Sequence, residues 1–451
     1  MTRVTTAIER KSNSAIVHSR ISTEANKLCS GDRAVHDWYR FVLSYPPHLV
    51  RDYLGRFDGS SQKCVLDPFC GTGTTIVECK KLGIPSVGVE AHPMAHFASA
   101  TKVAWDVDPA ELEESSRRIA AAATAELEAN GVIDDPAPAL IAEMPDRQKL
   151  RTIPPEIEKL LLKNSISPLP LHKALVLRDA IRSRRNGGCR AHQLLALAKA
   201  LITTIGNLEF GPEVGVGPAK ADAPVVSRWL RLVQEMADDL RIVKPLTSVP
   251  AKAHHADSRD IAKLVAPESI DMVITSPPYP NEKDYTRTTR LETVLLGFIT
   301  SKKELQALKR TMVRSNTRGV YKGDSDHQLV ADHVEIQRIA EAIEARRVEL
   351  GKTSGFERLY AKVTKLYFGG MARHLAGLRQ VLRPNAQVAY VVGDQASYLR
   401  IMIRTGQILA SIAEPLGYEV VGIDLFRTRL ATATREQLRE EVVVLRWPGK
   451  H

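Results

Sequence analysis

The residues best placed to do chemistry fall in two short, widely separated stretches. The first, VLDPFCGTGTT at 65–75, sets Asp67 at the end of an apolar run and Gly71 and Gly73 ahead of a helix-forming stretch. Glycine takes positive φ and lets backbone approach a ligand closely, and the first turn of a helix leaves N–H groups unpaired. A second apolar run, SVGVE at 86–90, ends in Glu90, 17 residues beyond Gly73. An acid there can accept hydrogen bonds from ribose hydroxyls. No GxxxxGK[ST] occurs, so the expected ligand is a nucleoside with no required triphosphate. The second stretch, IDMVITSPPYP from 270, leads an apolar run into Ser276-Pro277-Pro278-Tyr279. Prolines stiffen the loop and lack N–H donors, so the carbonyls of Ser276 and Pro277 can face a ligand. A hydroxyl beside fixed carbonyls is an acceptor set for an exocyclic amino group, and the adjacent tyrosine can stack on a planar base. Taken singly, each stretch also fits a tight turn with no ligand.

The elements around them read as α/β. Residues 63–67 form a strand, Gly71 to about Leu82 a turn and helix, and 86–90 a second strand, which together make a βαβ unit. Upstream, 34–58 reads as a loop containing Tyr45-Pro46-Pro47, then a short helix. Further strands are expected at 270–275, 386–392, 418–424 and 440–446, and helices at 327–351, 356–382 and 400–415. Between 109 and 245 strand signals nearly vanish, and helical patterns run at 110–130, 147–163, 170–185, 190–206 and 224–243. The expected organisation is a polar N-terminal arm (1–33), one half of a catalytic domain (34–108), a helical insertion (109–245) and the second half (246–451).

The 451 residues carry 63 Lys plus Arg against 52 Asp plus Glu, a net charge of +11. With 44% hydrophobic and 25% charged residues, the chain is neither largely disordered nor collagen-like nor a disulfide scaffold. Five cysteines without a CxxC pair predict neither disulfides nor a zinc site. His254-His255 near Asp257 reads as a loop, and no metal is expected. No signal-type or membrane-spanning apolar run is visible, so a soluble, cytoplasmic protein with no membrane partner is expected. The basic run 302–322 follows the SPPY loop and is expected on the substrate side, in contact with phosphates.

DPFCGTGT together with TSPPY resembles the S-adenosylmethionine (AdoMet)-dependent DNA amino-methyltransferases. The extension SPPYPNEKDYTRTTRLETVLLGF is similar to a longer family pattern, matched by Asp284, Tyr285, Arg287, Leu291, Glu292, Leu296, Gly297 and Phe298. WYRFVLSYPP resembles the family's N-terminal motif on the AdoMet side. The likeness covers about 34–106 and 254–300, continues loosely through GDQAS at 393–397, and leaves the insertion uncovered. It implies a Rossmann-like, mostly parallel class I methyltransferase sheet with helices on both faces. It also implies that Tyr45, Asp67, Phe69, Cys70, Gly71, Thr72, Gly73 and Thr74 shape the AdoMet pocket, that Glu90 binds the ribose and that Asp257 lies near the adenine. Ser276, Pro277, Pro278 and Tyr279 would hold the target base. Asp284, Tyr285, Arg287, Arg310, Arg314, Asn316 and Arg318 are the expected nucleic-acid contacts.

Within the family the Ser form of the loop is most frequent in cytosine-N4 enzymes, which makes cytosine-N4 the leading expectation. The order of the two motifs is opposite to that of many such enzymes, so adenine-N6 remains an alternative. RNA methylation of the tRNA guanine-N2 type and a non-catalytic remnant of the fold are further alternatives. A cognate restriction endonuclease is an expected partner besides DNA. Cytosine-C5 chemistry needs a Pro-Cys dipeptide, which is absent; Cys70 reads as a small wall residue. For the insertion, target recognition and a structural or dimer role stay equally open, as do pocket-capping and core packing for Trp38 and Tyr39.

Overall fold

The computed structural model describes residues 28–41, 44–135, 150–183, 187–211, 213–281, 283–430 and 437–449. Most of the expected N-terminal arm lies outside these. Nine strands are present among the described residues: β1 (Val65–Asp67), β2 (Ser86–Glu90), β3 (Leu208–Phe210), β4 (Val214–Val216), β5 (Ala251–His255), β6 (Ile270–Thr275), β7 (Leu382–Gly393), β8 (Glu419–Leu430) and β9 (Gln437–Trp447). Seven build one sheet in the order β5-β2-β1-β6-β7-β9-β8, while β3 and β4 pair as a separate hairpin. Strands β5, β2, β1, β6 and β7 run parallel; β9 is antiparallel to β7, and β8, antiparallel to β9, closes the sheet in the direction of the first five. The expected mostly parallel α/β architecture is present.

The sheet alternates as a strand covered on both faces must. Met272 and Ile274 of β6 and Ala389 and Val391 of β7 pack with Leu49, Val50, Leu54 and Phe57 on one face. The residues between them, Val273, Val388, Tyr390 and Val392, join Phe368, Met371 and Leu375 on the other. The covering helices are α1 (Pro47–Arg56) on the first face and α10 (Tyr360–Leu378) on the second, with α8 (Lys302–Thr311), α9 (Val334–Glu349) and α11 (Thr405–Ala413) completing the second half of the chain.

Helices α2 (Thr74–Lys81), α3 (Pro93–Val103) and α4 (Pro109–Ala129) begin where local chemistry starts them. Gly73, at φ +89, precedes α2. His92 and Asp108 cap α3 and α4 by accepting from Met94 N at 3.2 Å and Ala110 N at 2.8 Å, and each is followed by proline, whose missing N–H costs a helix nothing there. The stretch 109–245 is largely helical, with α4, α5 (Pro168–Ser183), α6 (Arg190–Ala200) and α7 (Val226–Val243). It shares one core with α2 and α3: Ile76, Met94 and Ala98 belong to the same buried cluster as Leu112, Leu177, Leu197 and Trp229.

Three differences from expectation stand out. The hairpin β3–β4 interrupts the helical region; three-residue strands are too short to show a period. His254 and His255 lie not in a loop but at the end of β5, an edge strand whose apolar face is only the small pair Ala251 and Ala253. Strands β8 and β9 run beyond the expected 418–424 and 440–446. Trp38 and Tyr39 are core residues: the Trp38 indole donates to Asp239 at 2.8 Å and the Tyr39 hydroxyl to Glu292 at 2.5 Å.

Candidate functional site

The chain passes from β1 outward to β2, and later returns to place β6 on the other side of β1. In α/β sheets such a reversal opens a crevice outside the carboxyl ends of the two strands. A cleft of about 540 Å³ lies there. Its lining includes Tyr45, Phe69, Cys70, Gly71, Thr72, Thr74 and Glu90 from in and around the first stretch, and Ser276, Pro277, Pro278, Tyr279 and Tyr285 from the second and its extension. Twelve of the residues singled out in the sequence thus meet in one cavity, brought together by the β1–β6 register Val65↔Met272.

Asp67 stands behind the wall. It is fully buried, and its oxygens accept from the Thr275 hydroxyl at 2.6 Å, the Tyr45 hydroxyl at 2.9 Å and Phe69 N at 3.2 Å. One carboxylate therefore ties the end of β1 to the end of β6 and to the Tyr45 loop. Burial pushes it up to about 6, against the pull of those hydrogen bonds. Tyr45 also bonds the Thr75 hydroxyl.

Glu90 faces the cleft. Its oxygens accept from Gly71 N at 2.9 Å and His92 N at 2.7 Å, so it holds the glycine turn as well as presenting a carboxylate. Desolvation raises it to about 7. Gly71 has φ +51, and the position its Cβ would occupy is open space facing no other atom within 4 Å. At Gly73 a Cβ would lie 3.1 Å from that of Ser99, so only glycine lets α2 and α3 pack this closely. The Thr72 carbonyl accepts from Lys102 Nζ at 3.1 Å; Lys102 is buried, and burial brings it down to about 7. Cys70 is buried at the wall and its thiol is pushed well up by desolvation, so it stays protonated.

On the other wall, Tyr279 packs beside Gly393, where a Cβ would lie 3.0 Å from Tyr279 Cε2. Burial and the Glu440 carboxylate raise its hydroxyl, while a hydrogen bond with Ser276 opposes them. Tyr285 is pushed up to about 12, mainly by burial.

The remaining expected residues are distributed differently. Asp257 is one residue off the wall, and its carboxylate is taken by Arg259 at 2.7 Å, while Ser258 lines the cleft. Asp284 caps the short turn Tyr285–Thr288 and pairs with Lys309 at 2.7 Å, which together hold its carboxyl below the ordinary range despite burial. Arg287 lines a smaller neighbouring pocket with Phe210 and Glu213. Asn316 donates to the Lys283 carbonyl at 3.1 Å. Arg314, expected to contact nucleic acid, does not reach solvent: it is 5% exposed, forks onto Asp324 with two 2.9 Å bonds and donates to the Lys309 carbonyl at 2.8 Å. A desolvated, paired guanidinium is not available to a phosphate. Arg310 and Arg318 are exposed, over the rings of Tyr321 and Phe356.

Several lining residues carried no motif. His92 follows Glu90 by two and bonds the Thr289 hydroxyl at 3.0 Å. Lys283, Arg427, Arg429 and Glu440 form the outer rim on the SPPY side, where Arg427 forks onto Glu440 at 2.6 and 2.9 Å. Glu213, from the hairpin, joins them. No helix among the described residues is long and apolar enough to cross a membrane.

The comparisons bear on the same residues. Residues 40–100, which hold the glycine turn and Glu90, match the family model described as DNA methylase, N6_N4_Mtase. Over nearly its whole length the chain is similar to the Type II methyltransferase M.BsoBI of Geobacillus stearothermophilus, with 24% identity covering 94% of this chain and 86% of that protein. Similarity to the Type II methyltransferase M.AvaI of a Nostoc species is also 24%, over 95% of this chain and 89% of the relative. A shorter match, 32% over 69 residues and 15% of this chain, is to the Type II methyltransferase M.MjaII of Methanocaldococcus jannaschii. The motifs, the sheet and these relatives agree in supporting a DNA amino-methyltransferase of the N4/N6 family.

Proposed function

We propose that this methyltransferase transfers the methyl group of AdoMet to the exocyclic amine of a base extruded from DNA, with cytosine-N4 as the acceptor. The observation that supports this reading best is the meeting of Ser276–Tyr279 with Gly71 and Glu90 in one cleft at the switch point of the sheet. The residues fit the cofactor: Glu90 offers a carboxylate at the strand end, and the turn at Gly71 leaves open space where a side chain would otherwise stand. Tyr45, Phe69, Thr72 and Thr74 would complete its pocket. When bound, AdoMet supplies an electrophilic methyl on sulfur.

The chain's own part is to prepare the nucleophile. An exocyclic amine donates its lone pair into the ring and is weakly nucleophilic. Ser276 Oγ and the Pro277 carbonyl accept its N–H bonds, which favours a pyramidal nitrogen and stabilises the positive charge it develops. Tyr279 stacks on the base, holding it out of the duplex. Cys70 takes no part in bond making, since its thiol is buried and protonated. Arg310 and Arg318 attract the phosphate backbone. A cytoplasmic setting with a cognate restriction endonuclease accords with the Type II names of the relatives.

Incubating the protein with labelled AdoMet and DNA, then digesting to nucleosides, tests this. Label in N4-methyl-2′-deoxycytidine is the expected result; label in N6-methyl-2′-deoxyadenosine moves the acceptor, and a parallel reaction in which RNA takes label and DNA does not overturns the DNA assignment.

A further inference from the structure

The hairpin β3–β4 joins the helical region to the cleft, and it is built as a rigid finger. Its base is pinned from several sides. Asn207 donates through its amide to the Asn164 carbonyl at 2.9 Å and to Ser167 Oγ at 3.1 Å, and accepts from Lys220 N at 3.1 Å. Lys220 Nζ donates to the carbonyls of Thr204 and Gly206, both at 2.6 Å. At Gly206 a Cβ would lie 2.7 Å from both the Leu201 carbonyl oxygen and Leu291 Cδ2, so the backbone is seated against the segment that follows the SPPY loop.

The tip is different. Gly211 N donates to the Glu213 carbonyl at 3.3 Å, and Glu213 is exposed at the mouth of the cleft, on the same lining as Lys283, Arg427 and Arg429. The other hairpin acid, Glu209, folds back along Gly217, where a Cβ would meet its Oε1 at 2.4 Å. A carboxylate at the entrance for a polyanion is repelled by phosphates. It is compatible with bound DNA where it faces a donor. On the major-groove edges of the bases those donors are the amino groups of cytosine and adenine.

We propose that the hairpin is a sequence-reading element, and that Glu213 accepts a hydrogen bond from the amino group of a base flanking the extruded one. This rests on the DNA reading above and assigns part of the helical region to target recognition. In the free protein Glu213 faces Lys283, which Arg429 and Glu440 also approach.

The test is a methylation assay on a duplex library with every position around the target varied, comparing the full-length protein with Glu213→Ala and Glu213→Gln, and with AdoMet affinity measured alongside. Glu213→Ala should lose about tenfold discrimination at one position that requires cytosine or adenine, with AdoMet affinity unchanged. Glu213→Gln, which keeps an acceptor, should lose less. An unchanged preference at every position overturns the proposal, as does an equal loss on all sequences. If the unsubstituted protein labels no DNA, the functional reading itself fails and this inference with it; a protein that labels DNA while its Glu213 variants read sequence normally leaves the function standing and sinks only the finger.

Discussion

The two walls of the cleft are built in opposite ways. The wall proposed for the cofactor is made from strand ends locked by buried bonds: Asp67 spends both oxygens on Thr275, Tyr45 and Phe69, and Glu90 holds Gly71 and His92. The outer rim is made from side chains on extended arms, Lys283, Arg427 and Arg429 with Glu213 opposite, and Arg429 and Glu213 remain open to water. A constant ligand can be met by a preformed, dry surface. A partner whose sequence varies is met by a polar one whose side chains can be exchanged without disturbing the sheet.

The largest expected effect falls between the walls. Ser276→Ala and Tyr279→Ala should each lower methyl transfer by at least about a hundredfold while AdoMet affinity, measured by calorimetry, stays constant. Full activity in both variants would remove the SPPY loop from the chemistry.

Next comes the cofactor wall. A carboxyl raised from 4.5 to about 7 keeps a proton in the folded free protein that the unfolded chain gives up across that window. The free protein therefore loses stability as pH rises from about 4.5 to 7, while AdoMet affinity grows as the carboxylate forms. Asp67, raised to about 6, adds a slope of the same sign in stability. Glu90→Gln should weaken AdoMet binding roughly tenfold at pH 8 and flatten its dependence on pH; a variant that keeps the pH profile would take Glu90 out of the ribose contact.

A subtler probe leaves both ligand-binding surfaces in place. Gly393→Ala puts a methyl 3.0 Å from the Tyr279 ring and should lower kcat about tenfold without moving AdoMet affinity. No change in kcat would mean that the ring shifts freely.

The smallest effect separates two arginines of one basic run. Arg310→Ala should reduce the slope of log affinity against log salt by about one, with stability unchanged. Arg314→Ala should leave that slope alone and cost about 3 kcal/mol in urea unfolding, since it strands Asp324. A reversed pattern would put Arg314, not Arg310, at the phosphates.

The cofactor wall was legible in the sequence because its information is local: a buried strand, two glycines, a capping position and an acid at the next strand end all lie within 65–90. The βαβ unit, the SPPY strand and most helices could be read for the same reason. The rim could not. Lys283, Arg429 and Glu213 come from three distant segments, and the strands that carry Glu213's hairpin are three residues each. Charge counting likewise took Arg314 for a surface group, because nothing in the run 302–322 announces that Asp324 folds back onto it. The His254-His255 pair was misplaced because the apolar face of its edge strand is only two alanines, too weak a signal to read.

The clasp between Asp67 and Thr275 joins residues 208 apart in the chain. During synthesis the glycine turn therefore emerges well before its partner strand. At about 5–20 residues per second the delay is ~10–40 s. Through that interval β1 has β2 beside it but an open hydrogen-bonding edge on the other side, because β6 does not yet exist. A ribosome that stalls before residue 270 holds a chain whose β1 has one unpaired edge, whose Asp67 lacks its Thr275 partner, and which has no second wall. The nascent enzyme is then a client for chaperones before it is a catalyst.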